Sequence, residues 1–324
     1  TASRPLERPR QNNAPAMTPD PALLQPLLDL LAQTDGWTWL RVLVAAAFYA
    51  CALVAVGGVL FGQVFGHHPG LHRAAGLRPL VPAAAGLALA LLLLQWPLQA
   101  GFLGGGTWAA AFDPGLLALV FDGATGQRLL LAGSGLLLLQ AFWIVSGRWR
   151  GPAAAASLLG AALVLLAFTL VGHSTGAPRA LLAVLLLLHL GAVAFWIGAL
   201  IPLYRISGPP QLGEPAAHVL QRFGLVAAPV VAGLIVAGLW LAWRLLEGWS
   251  PLLHSAYGLV LLLKLAVLGL LLALAGLNRW LLVPALVAHA PRARQRLRAS
   301  IGCEMLLVAL ILLLTAFLTT TTSP

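Results

Sequence analysis

The chain has 324 residues, of which 60% are hydrophobic and 9% charged, and its mean hydropathy is +0.93. That balance excludes a water-soluble globular domain and a disordered polymer, and it places the chain among integral membrane proteins. The formal net charge of +10 does not call for nucleic acid, because the arginines sit in short loops between apolar runs, where membrane topology accounts for them.

The chain opens on "TASRPLERPRQNNAPA", a proline-rich, arginine-bearing stretch without the apolar core of a signal peptide, which is expected to be disordered. "PALLQPLLDLLAQ" follows, short and apolar, and is expected to lie along the membrane interface. Continuous apolar runs, each near the roughly 20 residues a helix needs to cross a bilayer, then recur. We read eight helical spans: Thr38 to Phe61, Leu80 to Leu98, Gly126 to Val145, Ala154 to Val171, Pro178 to Tyr204, Phe223 to Leu246, Ser255 to Leu282 and Leu297 to Leu318. Helices are the choice because the runs are continuous rather than alternating. The expected fold is an all-α polytopic bundle in three parts: residues 1–36 as tail and interfacial helix, 37–175 as spans one to four, and 176–324 as spans five to eight.

If eight spans alternate, the arginine-rich loops, from Arg73 and Arg78 to the run between Arg292 and Arg298, all fall on one side. That side is expected to be cytoplasmic and both termini periplasmic. Trp37, Trp39, Trp96, Trp108, Trp240, Trp243 and Trp249 then fall at outer span ends or outer loops, as an interfacial belt. Cys51 and Cys303 lie in the first and last spans near opposite membrane faces, so no disulfide is expected between them.

Ionisable side chains in mid-membrane cost several kcal/mol unless paired, hydrated or neutral, so those that persist are functional candidates. Lys264, the only lysine beside 18 arginines, lies in "LLLKLAVLGL". It stands about ten residues, roughly 15 Å, from either end of its span, too far for snorkelling. Proton carriage, ligation in its neutral form, anchoring of a buried carboxylate and a structural ion pair are all open to it. Tyr257, Lys264, Leu271 and Asn278 recur at steps of seven on one helical face, which is expected to point into the bundle. Asn278 and Arg279 also fit a simple helix cap and a positive-inside charge.

His189, in "LLLLHLGAVAFWIGAL", lies eleven residues into the fifth span, and Trp196 follows it by seven on the same face. Because the fifth and seventh spans both start outside, His189 and Lys264 are expected at one depth. In hydrocarbon a histidine needs a partner, which points to a ligand or proton-handling role. His173 ends the fourth span in "FTLVGHSTG" at the outer interface, where a ligand and an ordinary interfacial histidine are equally good readings; His254, also at the rim, carries less. Glu304, in "IGCEMLL", falls near the level of Asn278 and well below Lys264, so it is expected to bond Asn278 or Arg279, or to form an inner step of an ion path. Cys303 and Met305 flank it as soft ligands, but adjacent helical positions diverge and cannot all face one ion. His67, His68 and His72 cluster in "GHHPGLH", a loop on the cytoplasmic side. No phosphate-binding loop, nucleotide fingerprint, HExxH or serine elbow occurs, so phosphate-driven pumping within the chain is not expected.

These residues carry a resemblance to the CopD family of bacterial copper-resistance membrane proteins. It runs over most of the chain and is strongest in the last four spans: "GHS" with His173, "LHLGAVAFWIGAL" with His189, Trp196 and Gly198, "YGLVLLLKLAVLGLLLALAGLNR" with Tyr257, Lys264, Asn278 and Arg279, and "LRASIGCEMLL" with Arg298 and Glu304. "GATGQRLLL" resembles the glycine-containing start of the family's third helix only in part. The resemblance implies an inner-membrane protein that works with a periplasmic CopC-like copper-binding protein and moves copper into the cytoplasm. With two methionines and two cysteines the chain lacks a ladder of soft ligands, so histidines would have to carry the copper. His189, Trp196 and Lys264 also resemble, more remotely, the pattern of HemJ-type protoporphyrinogen oxidases, which implies haem b near His189 and Lys264. The expected function is copper transport rather than catalysis, with His173 and His189 as ligands and Lys264, Glu304, Asn278, Tyr257 and Trp196 along the path. A haem-binding redox protein and a non-transporting copper-delivery subunit are the alternatives.

Overall fold

The structure is a computed structural model that describes residues 21–66, 74–144, 150–170, 179–208, 213–245 and 255–321. The described residues form helices joined by turns and no strands. Helix α1 (Pro21–Gln33) precedes α2 (Gly36–Phe65) and α3 (Leu77–Leu103). After a single turn at Trp108–Ala111 come α4 (Pro114–Asp122) and α5 (Ala124–Leu139), then α6 (Arg150–Ala167) and α7 (Arg179–Ile206). Helices α8 (Gly213–Leu245), α9 (Ala256–Leu277) and α10 (Ala293–Thr321) complete the chain.

Among the described residues seven helical segments are long and apolar enough to cross a membrane, and the pair α4 and α5, bent by 74°, makes eight if it is one span. The chain is therefore a multi-pass membrane protein with an all-α fold. Three features depart from the sequence reading. Residues before Gly126, read as an outer loop, form α4, because Asp113 accepts from the Leu116 amide at 2.9 Å and Pro114 occupies the first turn. Helix α8 starts at Gly213, well before Phe223. The seventh span, read as ending at Leu282, runs on through a π-turn at Asn278–Leu282 into Val283–Val287. There the Val283 amide bonds the Asn278 carbonyl, a step of five, and Pro284 next to it has no amide to continue the ordinary ladder.

Helix α2 is the central post. It packs against α3, α6, α7 and α10, and its Phe48, Phe61 and Phe65 are fully buried. Lipid tails are as apolar as leucine, so helices associate here through close packing rather than through removal from water. The closest approach joins Gly57 of α2 to Gly198 of α7: a Cβ at Gly57 would overlap the Ala194 carbonyl oxygen, and one at Gly198 would overlap the Gly57 backbone. Helices α8 and α9 lie at the margin of the bundle, and Leu225, Val236, Leu263 and Leu270 stay exposed on them. A second apolar cluster of Val42, Val260, Phe317 and Leu318 takes in Leu27 and Leu30 of α1, which seats the short helix against the start of α2, the start of α9 and the end of α10. Cys51 and Cys303 are both free thiols.

Candidate functional site

Two polar positions on α7, His189 and Trp196, are seven residues apart and so share a face about 10 Å apart along the axis. His189 is half-buried, and its Nδ1 is buried without a hydrogen-bond partner among the described residues. Lys264 of α9 lies within electrostatic reach of that imidazole. It sits half-buried on the helix face whose next heptad positions, Leu271 and Asn278, are buried.

Deeper on the same side of the bundle, three spans meet at Glu304. Its side chain is buried on α10, and its two oxygens accept from different helices. The Asn278 Nδ2 donates to Oε1, and the Trp196 indole Nε1 donates to Oε2 at 3.4 Å. Asn278 is the C-cap residue of α9, as the sequence allowed, but the chain runs on through the π-turn and its side-chain amide is used on Glu304. Arg279 diverges from its neighbour: its Nη1 lies beside Gly224 of α8 and is buried without a partner among the described residues. Two oxygens, the Asn278 Oδ1 and, one turn before Glu304 on α10, the Ser300 Oγ, likewise have no partner among the described residues. Buried oxygens in this state are suited to a cation or a proton-bearing group.

The remaining expectations separate. Tyr257 packs into the second apolar cluster, away from the Glu304 centre. Cys303 is exposed while Met305 packs against the core, so the soft ligands flanking Glu304 do diverge. His173, His254, His67, His68 and His72 lie outside the described residues. Among the described residues no group of three or more His, Cys, Asp or Glu side chains converges.

Sequence reasoning missed two arginines inside spans. Arg41 on α2 donates from Nη2 to the Gln99 Oε1 at 2.8 Å and lies 3.8 Å from the Phe102 ring centroid. Arg128 on α5 lies 5.1 Å from the Phe48 centroid. The available signal was their position a few residues inside an apolar run, where a charge count over loops overlooks them.

Comparison with known proteins bears on the same helices. A family model described as Copper resistance protein D matches residues 217–318. That stretch holds Lys264, Asn278 and Glu304, while His189 and Trp196 precede it. Copper resistance protein D of Pseudomonas syringae pv. tomato is 30% identical over 305 residues, covering 87% of this chain and 96% of the relative. Inner membrane protein YebZ of Escherichia coli (strain K12) is 27% identical over 259 residues, 75% of this chain and 82% of the relative. Copper transport protein CutJ of Bacillus subtilis (strain 168) is 26% identical over 216 residues, 62% of this chain, which spans only 39% of that relative's length. No solved structure matches.

Proposed function

Because the chain belongs to the copper resistance protein D family, we propose that it carries copper across the bacterial inner membrane, from periplasm to cytoplasm, with both termini periplasmic. The observation that carries this reading is the His189 Nδ1, a buried nitrogen with no hydrogen-bond partner among the described residues. A neutral imidazole offers one nitrogen lone pair, and copper takes imidazole readily. His173 receives the ion at the outer face from a periplasmic CopC-like protein, and His189 holds it at mid-depth. The Glu304 and Asn278 oxygens, about two helical turns further in, receive it next. Copper and an ammonium group repel at this range, so copper occupies the His189 position only when Lys264 is neutral or its charge is met. The reading is of transport, not catalysis.

Copper uptake into proteoliposomes tests it. His189→Ala is expected to abolish uptake, whereas His72→Ala in the loop cluster leaves it largely intact, since a solvated histidine is replaceable by water and an intramembrane ligand is not. Equal loss at both positions moves the limiting site to the loop. Binding of copper by the purified protein without uptake leaves a delivery subunit. A strong haem b absorbance in the purified protein replaces copper as the occupant of His189.

A further inference from the structure

Among the described residues Arg128 has no carboxylate counter-ion. It is placed by a sharp bend: α4 ends at Asp122, α5 starts at Ala124, and a Cβ at Gly126 would overlap the Phe121 carbonyl oxygen, so only glycine permits this turn. Two residues on, the Arg128 guanidinium enters an aromatic enclosure built from α2 and the end of the fourth span. It lies 5.1 Å from the Phe48 centroid and 5.9 Å from that of Phe168; those two rings are stacked, and Tyr49 packs on Phe168 at 5.7 Å.

Ring faces satisfy the flat of a guanidinium but not its edge. Arginine has five N–H donors, no acceptor, and keeps its proton inside proteins. Among the described residues its buried Nη2 has no acceptor, and the titratable side chain within electrostatic reach is the Tyr49 phenol rather than a carboxylate. The chain is poor in acids, with nine Asp and Glu against 19 Lys and Arg. Of those, Asp35 and Asp113 are spent on helix caps and Glu304 on Trp196 and Asn278. A cation in hydrocarbon is normally paired or hydrated.

We propose that Arg128 is the core of an anion-binding site, walled by Phe48, Tyr49 and Phe168, that takes a small monovalent anion such as chloride or a simple carboxylate. The walls exclude anything large, and the edge-on N–H groups supply charge-assisted hydrogen bonds. The site stands apart from the His189 and Glu304 positions and does not depend on copper being the cargo. Phe168–Leu170 leads directly into the segment that holds His173, so a bound anion would place negative charge on the outer half of the molecule.

The test uses the full-length protein in detergent, melted in chloride, acetate or gluconate at constant ionic strength, alongside equilibrium dialysis with radioactive chloride. Chloride or acetate is expected to raise the melting temperature saturably while gluconate does not, and the more effective of the two identifies the ligand. Arg128→Gln should lose that shift, and Arg128→Lys should keep it with weaker apparent affinity. The proposal is overturned if the parent protein shows no anion-specific shift, or if Arg128→Gln retains it in full. Should the glutamine variant not fold, dialysis decides: saturable binding of chloride, or of labelled acetate, by the parent that weakens in Arg128→Lys upholds the site. Absence of saturable binding for both anions removes it.

Discussion

The Asn278 side-chain amide donates to the Glu304 carboxylate, joining the seventh and eighth spans through two side chains 26 residues apart in sequence. Asn278 stands where α9 passes into the π-turn, and the Trp196 indole holds the other carboxylate oxygen from α7. A buried carboxylate that accepts two neutral donors, one of them at long range, is sensitive to the loss of either.

Asn278→Ala should therefore destabilise the protein by about 1–3 kcal/mol, the usual cost of leaving a buried polar group unpaired. Asn278→Asp should cost more, since it sets a second carboxylate against the first. Unfolding in mixed detergent micelles gives the values. In a double-mutant cycle with Glu304→Ala the two substitutions should be non-additive; simple additivity would show that the bond contributes nothing.

Lysine can give up its proton inside a protein, whereas arginine does not. Lys264→Arg should thus inactivate copper transport while keeping the positive charge, and Lys264→Met should separate loss of function from loss of fold. Transport and folded yield are to be measured on the same membranes. If the arginine variant folds and transports at near the parent rate, Lys264 is a structural charge and deprotonation has no part in the mechanism.

Gly57 and Gly198 permit the backbone contact between α2 and α7. Gly198→Ala should cost about 1–3 kcal/mol or more by overpacking, and it should disturb His189 and Trp196 on the same helix. Gly269→Ala is the control, because nothing lies within 4 Å of an added Cβ there. Equal melting temperatures for the two variants would mean that the helices part without penalty.

Asp35 caps α2 just outside the membrane, its Oδ1 accepting from the Thr38 amide at 2.8 Å. Hydrogen bonds from Thr38, side chain first and then backbone, hold its carboxyl below the usual aspartate value. A carboxyl depressed in the folded state stabilises fully above its unfolded value, about 3.9, and that contribution fades as pH falls through the depressed value. Protection of the Thr38 amide from hydrogen exchange, relative to its intrinsic rate at each pH, should fall over that acidic window in the parent protein. In Asp35→Asn, which still caps but does not titrate, that fall should be absent; its persistence would assign the pH dependence to another group.

Apolar run length alone determined that this chain crosses the membrane as helices, because a backbone in hydrocarbon must satisfy its own hydrogen bonds. The step of seven through Lys264, Leu271 and Asn278 likewise determined which face of α9 turns inward, and helical rise placed His189 and Lys264 at one depth and Glu304 beside Asn278. Distances along a helix axis are arithmetic. What lies around that axis is not: that Asn278 bonds Glu304 while Arg279 turns toward Gly224 is set by how the neighbouring helices pack, and no hydropathy pattern reports it. The partnership with Trp196, the glycine contact that brings α7 onto α2, and the aromatic enclosure of Arg128 each join residues from separate spans. Helix packing decides such contacts, through side-chain shape at close range, and between leucine-rich helices in lipid the sequence carries little of that information.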